Sequence, residues 1–297
     1  MATIPLTFII PAYGRQQKLT RAIGSILSQV VQSVAIIVVD DASPEPLTLP
    51  DDFAATGRVR IIRQAENGGP AKARNTGMQA ARTDWVSFLD SDDWLLPGTL
   101  DLRWRFLEAE ESRAAVKGRT VYGCGWQDVM QDGSILRERI PLPAERASDF
   151  FQGCWFSPGS CIILNRSDVL REAGGVWESL RRLEDYEWFV RIGLAGFHLK
   201  VQDIAGTSIE RGSNTSLAAV TEAARSIRQR LQALTPDSRL RRRADSYLFY
   251  ERAASAWREG RPAAFLYLIA RSLLARPRFR LSPLPGWNTR QASGGRA

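Results

Sequence analysis

Leu6-Thr-Phe-Ile-Ile-Pro-Ala-Tyr-Gly-Arg15, then a helical stretch, then Val34-Ala-Ile-Ile-Val-Val-Asp-Asp-Ala-Ser43 decide the fold. Residues 6–10 and 34–39 are short apolar, β-branched runs that stop at turn-forming residues, the pattern of buried strands. Between them Leu19, Ala22, Ile23, Ile26 and Leu27 recur at helical spacing within 15–29. The unit therefore reads strand, helix, strand. Residues 59–62 predict a third strand, 70–81 a helix opened by Gly68-Gly69, and 85–89 a fourth strand running to Asp90. Such alternation predicts an α/β fold: a largely parallel sheet flanked by helices, with ligands at the carboxyl ends of its strands.

Outward from this core, a helix is expected from Pro97 to about Glu111, with Leu100, Trp104 and Leu107 facing inward. Residues 121–130 and 161–164 read as strands, 167–173 as a short helix and 183–194 as a longer one. Beyond Ser216 the chain becomes helical with arginine-rich faces, broken at Thr235-Pro236 and Gly260-Arg-Pro262, and a helical hairpin packed on the body is expected. The proline-rich stretch from Arg276 reads as a poorly ordered terminus.

Composition narrows the chemistry. The 297 residues are 44% apolar and 24% charged, with 40 Lys+Arg against 32 Asp+Glu, which allows one large domain or one domain plus a smaller unit. Cys124, Cys154 and Cys161 form no CxxC pair and His198 is the single histidine, so a Cys/His zinc cage lacks ligands. A reduced, cytoplasmic setting is expected, with His198 an ordinary strand or surface residue. One histidine also disfavours a Ser-His-Asp or Cys-His nucleophile, leaving carboxylates to carry chemistry. No apolar run approaches a membrane span, and the opening residues read as a strand rather than a secretory signal. Charge is uneven: from Thr221 onward 16 Arg face five acids, a net of +11 on a slightly acidic body. That basic region favours an anionic partner such as a lipid surface, nucleic acid or an acidic glycan, or is simply a solvated helical face.

Each early strand ends in residues fit for a site: Pro11-Ala-Tyr-Gly-Arg15, Asp40-Asp-Ala-Ser43 and Asp90-Ser-Asp-Asp93. Asp90 and Asp92 lie two apart, so an extended backbone would aim both at one point, where paired carboxylates attract a hard divalent cation. Alternatively these aspartates make a turn, or Asp93 caps the next helix. Asp40-Asp41 would accept from a ribose hydroxyl or a base N–H, or else start a turn. Asn67-Gly-Gly-Pro-Ala-Lys-Ala-Arg-Asn75 places two glycines before a helix and Lys72 and Arg74 in its first turns, suiting an anionic ligand. Glu184 and Asp185 open an amphipathic helix, where acids suit the dipole; an aspartate among aromatics is also a candidate general base.

Taken together, Pro11-Ala-Tyr-Gly-Arg15, Val39-Asp-Asp-Ala-Ser43, Asn67-Gly-Gly-Pro with Ala73-Arg-Asn75, Phe88-Leu-Asp-Ser-Asp-Asp93 and Glu184-Asp185 resemble, in order and spacing, the family 2 glycosyltransferases of GT-A fold. The similarity covers residues 4 to about 215. It implies a GT-A, Rossmann-like mixed sheet with a nucleotide-sugar half (1–100) and an acceptor half (101–215), followed by a basic helical extension (216–280) and a disordered tail (281–297). It further implies that Pro11 and Tyr13 line the base pocket, that Asp41 accepts from the base with Asp40 supporting its turn, and that Arg15 and Ser91 belong to the donor side. Lys72 or Arg74 would approach the base or diphosphate. Asp90 would hold the ribose or complete the shell of an Mn²⁺ or Mg²⁺ ion whose direct ligand would be Asp92. Asp185 matches the catalytic base, Glu184 its neighbour, and Phe156-Ser-Pro-Gly-Ser160 an acceptor-lining segment with Trp155 as a stacking surface or a core residue.

The implied reaction is a metal-dependent, inverting, non-processive transfer from a nucleoside-diphosphate sugar, UDP foremost, to a glycan or lipid-linked glycan. The implied setting is the cytoplasm, or the cytoplasmic membrane face touched by the basic region, with no specific nucleic acid. Competing readings are a nucleotidyltransferase that forms sugar nucleotides and a non-catalytic membrane- or nucleic-acid-binding relic. Gly14 stands where asparagine is often found, and Ala42 where glycine is common. Glu210-Arg-Gly-Ser-Asn-Thr-Ser216 occupies the place where relatives often carry a histidine that helps hold metal or diphosphate, and Arg211 is expected to assume part of its charge role. No Gln-x-x-Arg-Trp stretch, the mark of processive synthases, occurs.

Overall fold

The computed structural model describes residues 5–30, 33–114, 117–212 and 216–276, and the backbone of 287–290. In its first part β1 (Leu6–Ala12), α1 (Gln16–Leu27), β2 (Ala35–Asp40), the short α2 (Asp51–Ala55), β3 (Val59–Arg63), α3 (Gly69–Ala80) and β4 (Trp85–Phe88) alternate as expected. β1 pairs in parallel with both β2 and β4, and β2 with β3. Period-2 alternation splits β1 between two cores: Phe8 and Ile10 pack with α1, while Ile9 packs with Ala71, Ala73 and Met78 of α3.

Register then fixes where function can gather. Ala12 lies beside Asp40 and Ile9 beside Phe88, so the segments after β1, β2 and β4 leave the sheet at one edge.

The second part holds β5 (Trp94–Leu95), α4 (Thr99–Arg113), β6 (Thr120–Val129), β7 (Ile135–Pro141), α5 (Ala147–Phe150), β8 (Ile162–Asn165), α6 (Arg166–Glu172), α7 (Glu184–Leu194) and β9 (His198–Glu210). β8 joins β4 to β6 by antiparallel pairing, and β9 runs parallel to β6, giving a mixed sheet flanked by helices. β5, β7 and β9 were not anticipated. β9 carries Lys200, Gln202 and Asp203, and its register with β6 shifts around Gly125, so strict alternation is lost.

The expected hairpin is instead three helices: α8 (Leu217–Leu234), α9 (Ser238–Arg258) and α10 (Pro262–Ala275). Gly260 at φ +70° and Pro262 at the start of α10 turn the last helix back along α9. α8 and α9 bury Ala223, Ile227, Tyr247 and Leu248 against Tyr186 and Val190 of α7. Of the segment expected as a tail, Trp287–Arg290 forms β10, antiparallel to β7; the rest of that expectation lies outside the described residues. Among the described residues no helix is long and apolar enough to cross a membrane.

Candidate active site

A cleft of about 940 Å³ opens where the ends of β1, β2 and β4 meet the start of α7. One edge is set by Asp41, whose two carboxylate oxygens accept the backbone N–H groups of Gly68 and Gly69, each at 2.7 Å. Gly69 is at φ +83°, a conformation that glycine adopts freely, and the two bonds pin the start of α3 to the cleft. Asp40 lies one residue earlier and is fully enclosed. It accepts from Ser43 N–H at 2.9 Å and Arg63 Nη1 at 2.5 Å, bracing the turn. Ala42 follows at φ 58°, a left-handed conformation that an alanine adopts only under strain and a glycine freely.

With α3 pinned, Arg74 points inward and becomes the hub of the site. It donates to Asp90 at 2.9 Å, to Asp185 at 3.2 Å and to Glu184 at 3.3 Å. Its Nε is buried without a partner among the described residues. Burial opposes its charge, and the three carboxylates outweigh burial, raising its proton affinity further. Glu184 and Asp185 reach Arg74 because Leu183, at φ 58°, turns the chain sharply into α7.

Asp185 keeps 26% of its side chain open to the cleft. Its pKa is pushed up to about 7: burial raises it most, Arg74 pulls it down, and Glu184 and Asp90 raise it again. A carboxylate so poised can take a proton near neutral pH.

The acid pair after β4 is arranged differently from the extended reading. β4 stops at Phe88, and Asp93 N–H donates to the Asp90 carbonyl at 2.9 Å, closing a turn. Asp90 consequently faces Arg74, whereas Asp92 pairs with Arg15, itself left-handed at φ 59°. Both still border the cleft. Asp93 caps no helix; it is buried, accepting from the Ser160 hydroxyl at 2.5 Å and from Glu210 N–H at 3.2 Å. Burial, with the charge of Asp90 beside it, pushes its carboxyl well above the usual range. Among the described residues no cluster of three metal-ligating side chains occurs. Asp90 and Asp92 are nonetheless hard oxygen donors at the cleft wall, a donor set that suits Mg²⁺ or Mn²⁺ completed by water and phosphate.

Of the residues singled out from sequence, Pro11, Tyr13, Arg15, Asp41, Arg74, Asp90, Ser91, Asp92, Glu184 and Asp185 border this one cleft. Three do not. Asp40 is enclosed, and Lys72 pairs with Glu66 at 3.1 Å. Arg211 donates to Asp128 at 2.8 Å in a separate cluster, so its expected charge role at the diphosphate has no geometric basis. Trp155 is a core residue, donating to the Leu142 carbonyl at 2.7 Å and packed on Phe156, while Pro158 of the following segment does reach the cleft. Sequence reasoning missed Cys154, Arg181, Arg182 and, from the helical extension, Val220, Tyr247, Glu251 and Arg258, so the cleft crosses the expected boundary at residue 215. Backbone strain is a further marker: of five non-glycine residues with positive φ among the described residues, Arg15, Ala42, Ser157 and Leu183 are in or beside this cleft.

The profile of glycosyl transferase family 2 matches residues 7–171. The succinoglycan biosynthesis protein ExoW of Rhizobium meliloti is 31% identical over 228 residues, 70% of each chain. ExoO of the same organism is 36% identical over 142 residues, 47% of this chain and 41% of the relative. An uncharacterized glycosyltransferase of Haemophilus influenzae is 25% identical over 187 residues, 63% of this chain and 61% of the relative. The chain thus spans from about two fifths to 70% of the length of these curated relatives. Among solved structures, S. aureus TarS 1–349 in complex with UDP superposes with TM-score 0.63 at 17% identity, covering 97% of both chains. The complex of the same protein with UDP-GlcNAc gives 0.62 at 17% identity, covering 92% of this chain and 81% of that one. These superpositions establish the GT-A fold.

Proposed function

The chain belongs to glycosyl transferase family 2, and from that premise we propose that it transfers one sugar per encounter from a UDP-sugar to a hydroxyl of a glycan or lipid-linked glycan, with inversion at the anomeric carbon. The observation that carries this reading is Arg74 holding Asp90, Glu184 and Asp185 together at the edge where β1, β2 and β4 end. The UDP and UDP-GlcNAc complexes of TarS support UDP as the nucleotide.

The acceptor hydroxyl attacks the anomeric carbon, its proton passes to Asp185 Oδ, and the bond to the diphosphate oxygen breaks. Asp185 suits this role because its proton affinity, at about 7, lies far closer to working pH than that of an ordinary carboxylate. Arg74 orients Asp185 and keeps part of the site ionised. Arg15, Arg181 and Arg182 give the cleft guanidinium groups for an anionic leaving group. Asp92 with Asp90 would hold a divalent ion, which supplies positive charge against the growing charge of the diphosphate. Pro11, Tyr13 and Asp41 lie on the side assigned to the base.

The extension offers a peripheral membrane contact. α10 exposes Leu266 and Leu274, at 65% and 79%, with Tyr267 and Leu273 beside Arg271, a combination suited to an anionic lipid surface. Flotation with anionic liposomes is expected for the full chain and lost on Leu266→Glu with Leu274→Glu.

A thermal-shift series with UDP, GDP and dTDP, each with Mn²⁺ and with EDTA, tests the donor and metal together. Stabilisation by UDP that EDTA abolishes is expected; equal responses to all three nucleotides, or none, would remove the donor assignment.

A further inference from the structure

Tyr247, Glu251 and Arg258 are four and seven residues apart on α9, hence on one helix face, and all three border the cleft. The face is held against the catalytic end of α7. Tyr247 packs on Tyr186, the residue after Asp185, with ring centroids 4.5 Å apart. Cys154 sits between, close enough to both Asp185 and Glu251 to feel each charge. The two acids thus serve one small volume from two elements far apart in sequence.

Glu251 is a poorly matched group as it stands. Among the described residues its carboxylate has no ion pair, and the hydroxyl of Tyr247 is the side-chain donor beside it. Arg258 stands nearby but donates to the Ala254 carbonyl at 3.1 Å and the Ser255 hydroxyl at 3.2 Å. A carboxylate can accept about four hydrogen bonds, so most of its capacity is unused at the cleft wall it helps to line. Burial pushes the Glu251 carboxyl above its ordinary range, with Tyr247 and Arg258 opposing that rise. Neighbouring hydroxyls of a sugar ring are the donors that such an acid, backed by a phenol, is built to receive.

We propose that α9 forms the acceptor subsite, Glu251 and Tyr247 binding two adjacent hydroxyls of the acceptor sugar so that another hydroxyl is held at Asp185. This rests on the glycosyltransfer reading and extends it: the helical extension selects the acceptor, whereas the strand ends bind the donor. None of Pro11, Tyr13 or Asp41 belongs to this wall.

The test uses the full chain saturated with UDP and Mn²⁺ and a panel of methyl glycosides (glucoside, galactoside, mannoside, N-acetylglucosaminide and glucuronide), with binding read by saturation-transfer NMR and UDP affinity by calorimetry. At least one glycoside is expected to bind. Glu251→Gln and Tyr247→Phe should each weaken it about tenfold or more while UDP affinity stays within about twofold. Unchanged glycoside binding in both variants, or no glycoside bound by a chain that binds UDP, overturns the subsite. Failure of the unaltered chain to bind UDP would instead overturn the glycosyltransfer reading beneath it.

Discussion

Two charged clusters in this molecule are mirror images in stoichiometry. At the cleft one guanidinium, Arg74, serves three carboxylates: Asp90, Glu184 and Asp185. Between β6 and β7 one carboxylate, Asp128, serves three guanidiniums: Arg137 at 2.7 Å, Arg139 at 2.9 Å and Arg211 at 2.8 Å. Asp128 is wholly enclosed and also accepts from Trp126 Nε1 at 2.9 Å, so every oxygen is committed to holding strands together. The cleft cluster is short of positive charge and part open to solvent, and it leaves Asp185 with a raised proton affinity. Excess acid beside a cavity makes a site; saturated acid away from one makes a brace.

The contrast yields a double dissociation. Asp185→Asn should lower kcat for sugar transfer by roughly 10²–10⁴-fold, the usual worth of a general base, with the denaturation midpoint unchanged or higher. Asp128→Asn should do the reverse, leaving kcat of the folded protein alone. Two of its arginines are about 40% exposed, so the loss of stability falls at the lower end for a broken buried pair, about 2–3 kcal/mol by urea titration. Equal effects of the two substitutions on both readouts would erase the distinction.

Acidity separates the clusters too. With Asp185 as the proposed base, the deprotonated form is the working one, so kcat should fall as pH drops through about 7. Arg74→Met removes the cation that favours the charged form and should move that limb to higher pH. For Asp128, burial raises the pKa, and the hydrogen bonds of Arg137 and Arg139 with the charge of Arg211 outweigh it, holding the carboxyl below its ordinary range. Its contribution to stability is therefore present above the unfolded value near 4 and lost as pH falls through the lower folded value. Activity should vanish well before the fold does. The smallest expected effect is at Ala42: Ala42→Gly relieves a left-handed alanine and should stabilise by about 1 kcal/mol.

The two clusters were not equally legible in the sequence. Asp41, Asp90 and Asp92 could be placed because a short apolar strand has one outcome, its carboxyl end, and parallel register aligns such ends. Arg74 was visible within Asn67–Asn75, but as a ligand contact. Its role as the shared counter-ion depends on α7, which arrives from far along the chain. Arg211 was misplaced because position suggested the cleft, whereas an enclosed acid with spare lone pairs claims any guanidinium within reach. Glu251 and Tyr247 left no signal at all: on a helix rich in arginine they read as solvated or packing residues, and only the docking of Tyr247 on Tyr186 reveals the wall they form. β9 escaped notice because its bulged register breaks the alternation on which a strand is recognised.

The acids gathered by Arg74, with Asp92 on the same cleft, are proposed to form one nucleotide-sugar site. A crystal grown with UDP and Mn²⁺, examined by anomalous scattering at the manganese edge, tests it most directly. A manganese peak against Asp92 and a diphosphate in the cleft between Arg15 and Asp185 are expected. UDP bound elsewhere on the molecule, or in the cleft with manganese remote from Asp90 and Asp92, would contradict it.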